Sequence, residues 1–196
     1  MEKLKELKLS DIVELKHGHQ FRSDDLIDNG EIPVIKIGQI GDNGTLNMKD
    51  LTYISNDRIE EFKDYIIKNG DILISLTGNL GRIVVVENLN GIALQNYRVG
   101  KLEVKPGFDK IFIKNLLDTQ YVRKQIERNS NQTAQANFGK KDLDKIKVLI
   151  PDASIQAKIG NTLELIDKQK IELEKQMQNY IELKKGLMQQ LLAGEF

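Results

Sequence analysis

From Ala153 to Leu192 the chain contains no proline, and its only interior glycines are Gly160 and Gly186. Ile159, Leu163, Ile166, Leu173, Met177, Tyr180, Leu187 and Leu191 fall on one repeating step. With Lys170 and Lys184 at the two vacant positions the spacing is 4, 3, 4, 3 throughout. This seam predicts one long coiled-coil helix in a carboxyl-terminal part, residues 153–196, with Asp152 or Ser154 able to cap its start and Gly194 after its end. At a rise of about 1.5 Å per residue such a helix is a rod of roughly 60 Å. A domain formed from residues 1–152 cannot cover a rod of that length, and the sequence holds no second helix to match it. The seam therefore predicts a partner helix from another chain, as in a homodimer. Lys170 and Lys184 weaken a long apolar interface and are read as fixing its register or orientation.

Residues 1–152 have a different character. PVIKIGQI (33–40), ILISL (72–76), RIVVV (82–86) and YRVGKLEV (97–104) are rich in β-branched residues and predict strands, punctuated by Gly and Asn. DRIEEFKDYI (57–66) and DKIFIKNLLDTQYVRKQIERN (109–129) have helical spacing, and KKDLDKI (140–146) reads as a short helix running into the strand-like VLIP. The predicted fold class is α+β: a mixed-sheet domain with short helices, followed by one long carboxyl-terminal helix.

Apolar residues make up 40% and charged residues 30% of the chain, a globular composition, and no apolar run is long enough to span a bilayer. There is no cysteine, and the opening MEKLKELKLS lacks the apolar core of a signal peptide, so a cytoplasmic location is expected. Net charge is zero but unevenly placed: residues 1–97 carry 11 Lys/Arg against 16 Asp/Glu, and residues 98–147 carry 12 against 6. A local excess of positive charge is what a nucleic-acid footprint requires, and equally what an uneven solvated surface shows.

Several chemistries are excluded by spacing. In ILISLTGNLGRIVVV (72–86), Gly78 and Gly81 are separated by two residues, not the four of a phosphate-binding P-loop, and the turn leads into a strand instead of a helix. It reads as a strand–turn–strand whose tip offers Thr77, Asn79 and Arg82 to a DNA phosphate or base edge, or as a hairpin using Gly and Asn for its turn alone. His17-Gly18-His19 lacks a third clear ligand, so no metal or other cofactor is expected and the histidines are read as solvent-facing in a loop. Pro151-Asp152 with Gln156-Ala157-Lys158 has Gln at the second acidic position of a nuclease pattern, and nucleophile and adenine-methyltransferase motifs are missing. The sequence reads as non-catalytic.

NGDILISLTGNLGRI (69–83), GIALQNYRVGKLEV (91–104) and NQTAQANFGKKDLDKIKVLIPDASIQAKIGNTLELID (131–167) together resemble the specificity subunits of type I restriction-modification systems. The likeness extends to the helix ending LKKGLMQQLL (183–192). Two departures stand out: IPDASIQ lacks the family's second proline before the helix, and this chain has one recognition domain and one long helix where a full subunit has two of each. The resemblance implies a half-subunit whose helix pairs antiparallel with another, holding two target recognition domains at opposite ends of a rod. It implies double-stranded DNA as ligand, and a type I adenine methyltransferase, with or without a restriction subunit, as partner.

Residues able to contact base edges or phosphates in such a domain are Arg22, Lys36, Thr77, Asn79, Arg82, Gln95, Asn96 and Arg98, then Asn131, Gln132, Thr133, Gln135 and Asn137, with Lys140 and Lys141 suited to phosphates. Each has a plain rival role, since loop amides also satisfy their own backbone. A protein-interaction or regulatory coiled-coil protein without DNA specificity is the alternative reading, and salt-dependent DNA binding separates the two.

Overall fold

The computed structural model describes residues 4–41, 44–78, 80–130 and 138–193. Two four-stranded sheets form its centre. One is ordered β2 (Val13–His17), β9 (Val99–Val104), β6 (Ile72–Ser75) and β7 (Ile83–Val85), all antiparallel. The other is ordered β4 (Thr52–Ile54), β3 (Ile32–Ile35), β8 (Ala93–Gln95) and β5 (Ile66–Ile67), with β3 and β8 parallel. A separate antiparallel pair joins β1 (Lys5–Lys8) to β10 (Lys147–Ile150), so that Leu7 meets Val148.

The central strands β3, β6 and β8 are buried on both faces, while β2 and β9 turn Glu14 and Glu103 to solvent, and the alternation of side chains along each strand shows why. On β6, Ile72 and Ile74 point into a core shared with α1 (Leu9–Ile12), α2 (Lys110–Asp118), α3 (Gln120–Ser130) and α4 (Lys140–Leu143), through Ile12, Ile113, Leu117, Ile126 and Leu143. Leu73 points the other way, into a second core with Val84, Val99, Ile35, Ile67 and Ala93 between the two sheets. Val34 and Leu94 then face a third, outer core with Phe21 and Phe62. A strand buried on both faces reads as a near-continuous apolar run, as ILISL does with Ser75 its one polar residue and as IVVV (83–86) does throughout.

The structure corrects several element boundaries. The expected strand over 33–40 ends at Ile35 and gives way to a 3₁₀ turn, Ile37–Gln39, because the Gln39 side chain accepts the Lys36 N–H at 3.1 Å. The segment expected as a helix over 57–66 is 3₁₀ from Asn56 to Tyr65, with Phe62 off helical geometry at φ −121° and ψ 16°. The helix expected over 109–129 is two helices broken at Thr119, where ψ is 146°. Strands β1, β2, β4, β5 and β8 were not anticipated from the sequence.

The last element, α5 (Ala153–Ala193), runs 41 residues. Its first turns pack on α2 through Gln156, which is buried, and Gly160, where an added Cβ would lie 2.6 Å from Asp109 Oδ1. Leu163 and Glu164 are half-buried, and every described residue from Leu165 to Leu192 is exposed.

Candidate nucleic-acid interface

Five chain segments meet at one end of the domain, and backbone hydrogen bonds hold them in register. Beyond β2 the chain continues alongside β8: the His19 N–H donates to the Gln95 carbonyl at 2.9 Å and the Tyr97 N–H donates to the His19 carbonyl at 2.9 Å. The approach is close enough to exclude any side chain at Gly18, where a Cβ would lie 2.3 Å from the Asn96 carbonyl oxygen. The Asn96 N–H donates to the Ile35 carbonyl at 3.1 Å, which sets Lys36 beside this turn. The Leu76 N–H donates to the Arg98 carbonyl at 3.0 Å, and the Phe138 N–H donates to the Leu76 carbonyl at 3.0 Å. Thr77 and Gly78 at the tip of the β6–β7 hairpin thereby join the group, as do Lys140 and Lys141 at the start of α4. Gly78, at φ +66°, stands near the 37–39 turn, with Ile37 Cδ1 3.8 Å from where its Cβ would be.

The side chains at this end divide by environment. Arg98, Lys140 and Lys141 are exposed, while Lys36 and Thr77 are half-buried. Arg98 Nε donates to Tyr97 Oη at 2.8 Å, and its guanidinium carbon lies 5.3 Å from the Tyr97 ring centroid. Arg22 is exposed, one residue past Phe21 of the outer core, and its N–H donates to Asp25 Oδ2 at 2.8 Å. That bond, and then the Arg58 guanidinium at 3.0 Å, hold the Asp25 carboxyl below its ordinary range. Glu14 is likewise lowered, first by the Lys16 ammonium that donates to it at 2.7 Å.

Two expected base contacts are instead built into the fold. Gln95 is fully buried: its amide nitrogen donates to the Lys16 carbonyl at 2.9 Å and the Val99 carbonyl at 2.7 Å. Asn96 is buried and its Oδ1 accepts the Arg98 N–H at 3.3 Å, which shapes the turn. Arg82 sits at the base of the hairpin, where Ser75 Oγ accepts its N–H and the adjoining Gly81 is pressed against Ile126 of α3. Asn79, Asn131, Gln132, Thr133, Gln135 and Asn137 lie outside the described residues. His19, expected to face solvent, packs among Phe21, Phe62 and Tyr65 with ring centroids about 5 Å away. Among the described residues there is no group of three or more His, Asp or Glu placed to hold a metal ion, and no helix long and apolar enough to cross a membrane.

The family model of the type I restriction modification DNA specificity domain matches residues 1–183. The chain belongs to that family. It is 26% identical over 195 residues to the type I restriction enzyme MjaVIII specificity subunit of Methanocaldococcus jannaschii, covering 96% of this chain and 45% of that one. It is 26% identical over 177 residues to the EcoBI specificity subunit of Escherichia coli, covering 88% of this chain and 36% of that one. This specificity-family chain thus spans less than half the length of these relatives. The crystal structure of a type I S subunit from M. genitalium shares its fold at a TM-score of 0.64 and 15% identity, over 99% of this chain and 47% of that chain. The HsdS subunit from Thermoanaerobacter tengcongensis does so at 0.59 and 18%, over 88% and 39%.

Sequence reasoning missed Tyr97 at this end of the specificity-family fold. The only signal was its position, an aromatic residue directly before an arginine in the polar turn between two strands. It also missed Gly18, whose requirement arises from a strand 78 residues away that no local pattern reveals.

Proposed function

We propose that the chain reads DNA sequence for a type I restriction-modification enzyme and does no chemistry itself. Residues 1–152 would form the recognition domain, and residues 153–196 the spacer through which two copies pair antiparallel. The observation that carries this reading is the convergence of five hydrogen-bonded segments on one end of the domain, which sets Lys36, Thr77, Arg98, Lys140 and Lys141 together. Backbone-fixed turns bearing arginine and lysine suit a duplex, with lysines on phosphates and arginine on base edges. Arg22, exposed beyond Phe21, would add a further cation for DNA, and Asn131, Gln132, Thr133, Gln135 and Asn137 would suit base edges by residue type. Gln95, Asn96 and Arg82 would support the turns.

The length of α5 supports a divided target. A rod of roughly 60 Å exceeds one turn of DNA, about 34–36 Å, so two domains at its ends reach half-sites separated by an unread spacer. A two-fold dimer reads a palindrome of two parts. Partners would be double-stranded DNA, the methyltransferase subunits and a restriction subunit, in the cytoplasm. The test is a map of methylated adenine across the genome of the native strain, with and without the gene. Loss at one bipartite palindrome is expected. Loss at an asymmetric bipartite site would replace the homodimer by pairing with a different half, and an unchanged map would overturn the reading.

A further inference from the structure

We propose that Tyr97 is a positioning residue that holds the Arg98 guanidinium for reading one guanine in the major groove. The inference rests on the DNA-recognition reading above and assigns it a base and a pair of residues. The Arg98 backbone is fixed on both sides: Asn96 Oδ1 accepts its N–H at 3.3 Å, and its carbonyl accepts the Leu76 N–H at 3.0 Å. The Tyr97 N–H is tied to the His19 carbonyl at 2.9 Å. From this rigid turn both side chains project into solvent, Tyr97 with 39% of its surface exposed. They are nevertheless joined, Nε to Oη at 2.8 Å with the guanidinium 5.3 Å from the ring centroid.

The chemistry of the partner matters. Arg58 and Arg123 are both committed to carboxylates, Arg58 to Asp25 and Glu61, Arg123 to Asp118. Arg98 is oriented by a neutral phenol, which accepts one hydrogen bond, and among the described residues no carboxylate is paired with it. With Nε engaged, the two terminal nitrogens remain as a planar pair of donors. That pair matches the O6 and N7 acceptors of guanine, whereas adenine sets a donor beside its N7. A ring under the guanidinium limits its rotamers before DNA arrives, so less ordering remains to be done on binding.

The test selects duplexes from a randomised pool with the full-length chain, wild type beside Arg98→Lys, Tyr97→Phe and Tyr97→Ala. Wild type is expected to enrich a sequence with one required guanine in each half-site. Arg98→Lys keeps the charge and loses the bidentate fork, so preference should fall about 5- to 150-fold at that guanine and at no other position. Tyr97→Phe should lower preference at the same position by a smaller factor and Tyr97→Ala by a larger one, with the salt dependence of binding to unrelated DNA unchanged in both. An equal loss on every sequence would make Arg98 a phosphate contact and overturn the assignment. Unaltered preference in all three variants would also overturn it, leaving the recognition reading intact. A wild-type pool that enriches nothing would overturn both.

Discussion

Gln95 and Gln156 are buried amides that bond to backbone groups. Gln95 donates to two backbone carbonyls, those of Lys16 and Val99, at the point where β2, β8 and β9 come together. Gln156 accepts the Asp109 N–H at 3.0 Å through Oε1 and donates to the Pro151 carbonyl at 2.9 Å through Nε2. Removing a buried partner leaves groups that can recover neither water nor protein, at about 1–3 kcal/mol each. Gln95→Ala should therefore destabilise the chain by about 2–4 kcal/mol in urea unfolding. An unchanged midpoint would return the amide to the DNA. The same residue shows why the site is only partly legible in sequence. An amide satisfies a strand end as well as it satisfies adenine, and burial decides between them. Arg98, Lys140 and Lys141, whose charges resist burial, were legible as surface groups from residue type alone.

At the scale of elements, legibility followed periodicity. The heptad seam announced α5 because nine consecutive steps keep one phase. The break between α2 and α3 was missed because apolar residues continue across it, yet their phase changes: Ile113 and Leu117 are buried four apart, then Val122 and Ile126. Thr119 works on both sides of the break, its hydroxyl donating to the Leu116 carbonyl at 2.7 Å and accepting the Val122 N–H at 3.4 Å. Likewise Ile59, Phe62 and Tyr65, three residues apart, carry the period of the 3₁₀ segment that contains them. The two glycines of α5 make the clearest contrast. A Cβ at Gly186 meets nothing within 4 Å, so Gly186→Ala should raise stability by about 1 kcal/mol at fixed protein concentration. A Cβ at Gly160 would displace Asp109 Oδ1, which caps α2 by accepting the Phe112 N–H at 2.7 Å. That loss costs about 1 kcal/mol or more and cancels the gain in helix propensity. Equal stabilisation by both substitutions, followed by circular dichroism through denaturant, would refute the close joint between α5 and α2.

At the scale of the whole molecule, the chain combines a domain built around three apolar cores with a rod that buries almost nothing. Leu173 is 64% and Tyr180 70% exposed, and Met177 lies between them on the same face. Apolar side chains repeated along the exposed stretch from Leu165 to Leu192 cost free energy in water, and helical propensity alone sustains such a rod poorly. A second copy laid antiparallel offers the same seam in return, which satisfies the closure that a two-fold interface demands. The full-length chain should sediment as a dimer. Leu173→Glu with Met177→Glu places four carboxylates in the middle of that interface, two from each copy, and should yield monomers that keep the domain's folded spectrum. Asn179→Glu, on the opposite side of the helix from the seam, adds charge without touching it and should sediment as wild type. If the double variant remained dimeric the seam would be misassigned, and if Asn179→Glu also dissociated, total charge instead of the seam would govern assembly.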